Sequence, residues 1–152
     1  MKIEKILFPT DFSTGSEHAF AYAADMARKY GARLFVVHVF YDIIRTTEWY
    51  VPDLPLENLD KDMAESAERQ LNAFCDKLDC GGAEVDRKVL RGTPFREIVR
   101  YAEENSVDLI VIGTHGRTGI DRVLFGSTAE QVVRRAGCPV LSVRLPSHRN
   151  TG

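Results

Sequence analysis

Long apolar runs, paired cysteines and an excess of either charge are all missing from this 152-residue chain. No stretch approaches the roughly 18 uninterrupted apolar residues of a spanning helix, so no membrane segment is expected. The opening MKIEKILFPTDF lacks the apolar core of about 7–15 residues and the small-residue cleavage site of a secretion signal, and the expected location is the cytoplasm. Cys75, Cys80 and Cys138 are odd in number and include no CxxC pair, which excludes a disulfide framework and a zinc site; small buried side chains are expected instead. Twenty basic residues stand against 22 acidic ones, net charge −2, so a broad electrostatic grip on nucleic acid is not expected, although a local basic patch stays open. The motifs of P-loop NTPases (GxxxxGK[ST]), dinucleotide dehydrogenases (GxGxxG) and serine hydrolases (GxSxG) are also missing.

What is present is a regular alternation of two hydrophobic periods in a chain of single-domain length, 44% hydrophobic and able to fill one core. Lys5-Ile6-Leu7-Phe8 reads as a strand. A helix follows over 16–30, with Ala19, Phe20, Ala23, Met26, Ala27 and Tyr30 at helical spacing, Thr14 and Glu17 as a start signal and Gly31 as a stop. Leu34 to Val39 is a second strand; Met63, Ala67, Leu71, Phe74, Cys75 and Leu78 mark a second helix; Ala83, Val85, Arg87 and Val89 alternate as a half-exposed strand. A third helix opens at Thr93-Pro94 and buries Phe95, Ile98, Val99 and Ala102, and Leu109 to Ile112 is an apolar strand suited to the middle of a covered sheet. Ala129, Val132, Val133 and Ala136 define a last helix ending near Gly137, before a strand from Pro139 to Val143. Strands joined by helices run parallel with right-handed crossovers. The expected fold is therefore a single-domain α/β protein, a doubly wound open parallel five-stranded sheet with helices on both faces, a domain over 1–145 and a flexible tail over 146–152. The periods leave the lateral order open, and the strand order expected is 3-2-1-4-5.

Ligands of such sheets sit beyond the carboxyl ends of the strands. Two segments end there: Pro9-Thr10-Asp11, and the turn from Gly113-Thr114-His115-Gly116 to Gly126-Ser127. Glycines let amides approach an anion, and a helix amino terminus offers free N–H groups and a favourable dipole. Two further hydroxyls, Ser127 and Thr128, stand on that terminus. Each residue also has an ordinary role: Ser127 with Glu130 spells a capping box, and Asp11 can cap the first helix or complement its dipole. Arg117 and Arg122 in the turn are either phosphate partners or solvated. The connection over 40–59, with Tyr41, Trp49, Tyr50, Pro52 and Pro55, exceeds the usual length and reads equally as a surface loop, a lid or a partner contact. His115 stands alone, and His18, His38 and His148 show no metal spacing.

The order Gly113-x2-Gly116-x9-Gly126-Ser127, taken with Ile6-Leu7-Phe8-Pro9-Thr10-Asp11, Val36-Val37-His38-Val39, Asp108 to Gly113 and Cys138-Pro139-Val140-Leu141-Ser142-Val143, resembles the ATP-binding branch of the universal stress proteins over nearly the whole chain. The resemblance implies an adenine-nucleotide-binding regulatory protein of the stress response. Asp11 would meet the ribose hydroxyls or the metal-phosphate region, Pro9 and Thr10 would shape the wall, and Val39 would meet adenine through its backbone. Gly113, His115, Gly116, Gly126, Ser127 and Thr128 would line the phosphates. The implied ligand is ATP, or ADP or AMP, with magnesium and no resident metal site. It also implies a homodimer through the last strand, whose Val140, Leu141 and Val143 should lie at the sheet border, and a regulatory protein partner. Binding is the leading reading; slow ATP hydrolysis or autophosphorylation on Ser127 or Thr128, and a nucleotide-independent dimeric scaffold, are the alternatives.

Overall fold

In a computed structural model, the structure describes residues 1–42, 56–114 and 125–146. Five strands, β1 (Lys5–Pro9), β2 (Arg33–Phe40), β3 (Val85–Arg91), β4 (Leu109–Gly113) and β5 (Val140–Val143), alternate with four helices: α1 (Thr14–Tyr30), α2 (Leu56–Lys77), α3 (Pro94–Glu104) and α4 (Ser127–Arg135). All pairings are parallel and the order is β3-β2-β1-β4-β5. The order expected from the sequence is the order found.

Alternation along each strand divides the core into two layers. Ile6 and Phe8 of β1, Leu34 and Val36 of β2, and Leu109 and Val111 of β4 face α1 and α2, where they meet Ala19, Phe20, Ala23, Leu71 and Phe74. Leu7, Val37, Val39, Ile110 and Ile112 point the other way, onto Ile98 and Ala102 of α3 and Ala129 and Val132 of α4. Central strands covered on both faces need apolar residues at every position, which is why β1 and β4 read as unbroken apolar runs.

Helix ends follow local chemistry, with two departures from the sequence reading. The cap of α1 is Ser13, whose side chain accepts from Ser16 N–H at 3.2 Å; Thr14 is already helical. Gly31 closes that helix in the left-handed region, φ 63°, as expected. Thr93 precedes Pro94 at the start of α3. Gly137 does not close α4: the cap is Ala136 in extended backbone. Val133, expected inside, is 45% exposed, because its neighbour Val132 takes the core and successive helical residues point about 100° apart.

β1 has β2 on one flank and β4 on the other, so the chain winds outward in opposite directions from this pair. The ends of β1 and β4 therefore leave an opening on the carboxyl side of the sheet. Among the described residues no helix is long and apolar enough to cross a membrane.

Candidate functional site

A cleft of about 810 Å³ occupies that opening, within the range of small-molecule sites. Its near wall is the end of β1, Pro9, Thr10 and Asp11; its back is His38, Val39, Phe40 and Tyr41 at the end of β2; its floor is Ile112, Gly113 and Thr114. Gly126 to Ala129, the amino terminus of α4, closes one side, with Pro94 and Ile98 of α3 behind it. The opposite side is a stripe of α2: Met63, Ser66, Ala67 and Gln70. Arg91 at the end of β3 pairs with Asp60 of α2 at 2.6 Å and with Asp42 after β2 at 3.3 Å, tying the start of α2 to the strand ends.

Of the site residues expected from the sequence, Pro9, Thr10, Asp11, Val39, Gly113, Gly126, Ser127 and Thr128 all line this cleft. His115 and Gly116 lie outside the described residues, as do Arg117, Arg122, His148, Trp49, Tyr50, Pro52 and Pro55. Their parts in the expected site belong to the functional proposal below.

The polar wall is built from short links. Thr10, buried, accepts at Oγ1 from the Ser16 hydroxyl at 2.6 Å and from Phe12 N–H at 3.0 Å. Asp11 Oδ1 accepts from Ser13 N–H at 3.0 Å, an Asx-type turn that leads into the Ser13 cap. Asp11 thus stands two residues before the cap, and capping, one of its ordinary explanations, falls to Ser13. The Thr10 carbonyl can only accept, so the 2.7 Å contact with His38 Nδ1 places the imidazole proton on Nδ1. Phe12 completes the turn with φ 65°, geometry that costs a non-glycine residue about 1–3 kcal/mol.

Across the cleft, α4 begins without a side-chain cap. Its N-cap is Gly126, φ −67° and ψ 160°, and among the described residues no side-chain cap bond forms there. The Ser127–Glu130 capping box therefore does not form. Gly126 N–H donates to the Thr114 carbonyl, and Thr114 N–H donates to Val143 O at 3.0 Å; this anchors the cap one residue earlier than the hydroxyl pattern suggests and makes Ser127 the first helical residue. An uncapped amino terminus leaves N–H groups and the positive end of the helix dipole toward the cleft. Gly113 has an explanation of its own: a Cβ there would lie 3.3 Å from the Gly15 carbonyl and 3.7 Å from Ala19 Cβ, so a side chain would press on the backbone of α1 where β4 passes it closely.

A family model described as the universal stress protein family matches residues 2–144. The chain belongs to the universal stress protein family. Universal stress protein MJ0531 of Methanocaldococcus jannaschii is 33% identical over 148 residues, 94% of this chain and 83% of that protein. The solved structure of MJ0577, from the same organism, superimposes with TM-score 0.82 at 29% identity and covers 97% of this chain and 99% of that one. A universal stress protein from Archaeoglobus fulgidus, solved in complex with dAMP, shares the fold at TM-score 0.59 and 24% identity, covering 92% of this chain and 96% of that one.

For this universal stress protein, reading the sequence alone missed the α2 wall, Ser16 and His38. His38 carried a faint signal, a polar residue on the inward face of β2 after Leu34 and Val36. The α2 wall carried none, because Ser66 and Gln70 look like solvent-facing helix residues until α2 is laid over the strand ends.

Proposed function

We propose that this universal stress protein binds an adenine nucleotide, ATP with magnesium or its products ADP and AMP, in the cleft between β1, β2 and α4, and acts as a nucleotide-responsive regulatory module. The observation that carries this reading is the uncapped start of α4 facing the same cleft as Asp11. The helix terminus suits phosphate, an acceptor across from it suits sugar hydroxyls, and the apolar back at Val39 and Ile98 suits a base. The dAMP complex of the Archaeoglobus fulgidus protein supports the ligand class on this fold. The resemblance adds His115 and Gly116 to the phosphate side. No group of three metal-ligating side chains exists among the described residues. Magnesium fits as an ion carried by the phosphates with Asp11, the carboxylate among the described cleft residues, as the side chain that would hold it, because magnesium is commonly held by one or two carboxylates plus substrate oxygens.

In the same reading a second copy pairs along β5. Among the described residues this edge strand is hydrogen-bonded on one flank only, to β4, and Val140 and Leu141 remain half-buried there. A regulatory partner would then read the dimer in its nucleotide-loaded or empty state.

Titration calorimetry with ATP and magnesium tests the site. Ser127→Asp puts a carboxylate where the helix dipole welcomes one, so the fold is kept or slightly stabilised, while phosphate meets a like charge. ATP affinity is expected to fall about tenfold or more, the free-energy equivalent of roughly 1.4 kcal/mol. Wild-type affinity in this variant sinks the proposal. Sedimentation velocity of the full chain with and without ATP reads the dimer, and a monomer in both removes the β5 pairing.

A further inference from the structure

Next to the aspartate of the cleft, one bulky side chain sits in backbone geometry that favours glycine. Phe12 follows Asp11 directly and has φ 65°. Such a residue persists only where its surroundings over-determine it, and residues of this kind gather where a neighbouring group has to be aimed. The Phe12 ring lies 4.2 Å from the imidazole of His38 and 5.8 Å from the ring of Phe74, half-buried against the core layer beneath α1 and α2. Phe12 N–H donates to Thr10 Oγ1, and the next amide, Ser13 N–H, donates to Asp11 Oδ1, both at 3.0 Å. His38 is itself held by its bond to the Thr10 carbonyl at 2.7 Å. The ring therefore grips the core and the β2 wall, while the amides at and after Phe12 carry the two bonds that shape the turn around Asp11. A glycine would take this φ without strain but would also leave it freely.

We infer that Phe12 is a positioning residue for Asp11: its ring, wedged against His38 and Phe74, holds a left-handed backbone that presents the Asp11 carboxylate to the cleft. The Phe12 side chain is not among the groups lining the cleft, so it acts through Asp11 and not by touching the ligand. The ligand in this inference rests on the adenine-nucleotide reading above; the geometry does not.

The test uses the full chain with Phe12→Gly, Phe12→Tyr, Asp11→Ala and the double variant Phe12→Gly/Asp11→Ala. ATP with magnesium is titrated calorimetrically, and exchange of the Ser13 amide is followed by NMR without ligand, with the β1 amides as the control for an intact fold. Phe12→Gly is expected to speed Ser13 exchange severalfold and to weaken ATP about tenfold, whereas Phe12→Tyr, which keeps the ring, restores both. In the Asp11→Ala background Phe12→Gly adds little further loss, the non-additivity expected of groups that act as one unit. Wild-type ATP affinity in Phe12→Gly, or a loss that adds in full to that of Asp11→Ala, overturns the inference. If the wild-type chain binds no ATP, the nucleotide reading fails by itself and Ser13 exchange decides: unchanged exchange in Phe12→Gly overturns the positioning role, and faster exchange upholds it.

Discussion

Replacing Thr10 with valine removes one oxygen from the wall of the cleft, and its cost can be worked from two hydrogen bonds. Thr10 and Ser16 are 6% and 4% exposed, so water replaces a lost partner only poorly. Thr10 Oγ1 accepts from both the Ser16 hydroxyl and Phe12 N–H. Valine has nearly the same shape but accepts nothing, and each buried donor left without an acceptor costs about 1–3 kcal/mol. Two donors give roughly 2–4 kcal/mol once the Ser16 hydroxyl is allowed to rotate toward another acceptor. Ser16→Ala removes a donor and leaves Thr10 Oγ1 still engaged by Phe12, so its cost stays near 1 kcal/mol. At about 2–4 °C per kcal/mol for a domain of this size, thermal unfolding of the ligand-free protein should fall by roughly 4–16 °C in Thr10→Val and about 2–4 °C in Ser16→Ala. The double variant should be no less stable than Thr10→Val, because one orphaned donor has gone with it. Circular dichroism melts at one pH check all three. Equal losses in the two single variants, or a Thr10→Val protein within half a kilocalorie of wild type, would refute the polar-wall account.

Two further outcomes follow from the packing. Gly113→Ala should lower the melting temperature of the ligand-free protein, at a cost of roughly 1–3 kcal/mol from overpacking against the Gly15 carbonyl; an unchanged melt would mean that this glycine serves only a ligand. Burial pushes the Cys75 thiol up from its ordinary 9.0 to about 11. Between those values the folded chain keeps a proton that the unfolded chain has lost, so stability is full below pH 9 and declines as pH rises through the window. The decline from this group is about 1.4 kcal/mol per pH unit. Denaturant unfolding of wild type and Cys75→Val across pH 8–11 cancels the titrations that both proteins share, and a wild-type slope no steeper than the variant's would contradict the burial of the thiol.

Strand and helix existence, the parallel order and the two core layers were legible along the chain, because covered parallel strands and amphipathic helices print different hydrophobic periods. The β1 and β4 rims were legible for the same reason: a strand end followed by Pro9-Thr10-Asp11 or by Gly113 is a local pattern. Capping was less so. Thr14 and Ser127 both looked like caps, but α1 begins at a local Asx-type turn one residue earlier, and α4 begins where a longer-range bond fastens its cap to the end of β4. Ser13 is positioned by Asp11, and Gly126 is fastened to the Thr114 carbonyl. Hydroxyl-x-x-Glu spacing cannot register a bond to a residue 12 positions away.

By itself, then, the order of residues determined the family, the topology and the two segments that meet at the cleft, since these depend on short-range periods and on motifs of fixed spacing. Tertiary structure alone decided that α2 supplies a wall, that His38 fastens β1 to β2, that Gly113 is small for the sake of Gly15, and that Phe12 is forced into the left-handed region beside Asp11. Each of those is a contact between residues far apart in the chain or a backbone angle imposed by such contacts, and a local pattern carries no record of either.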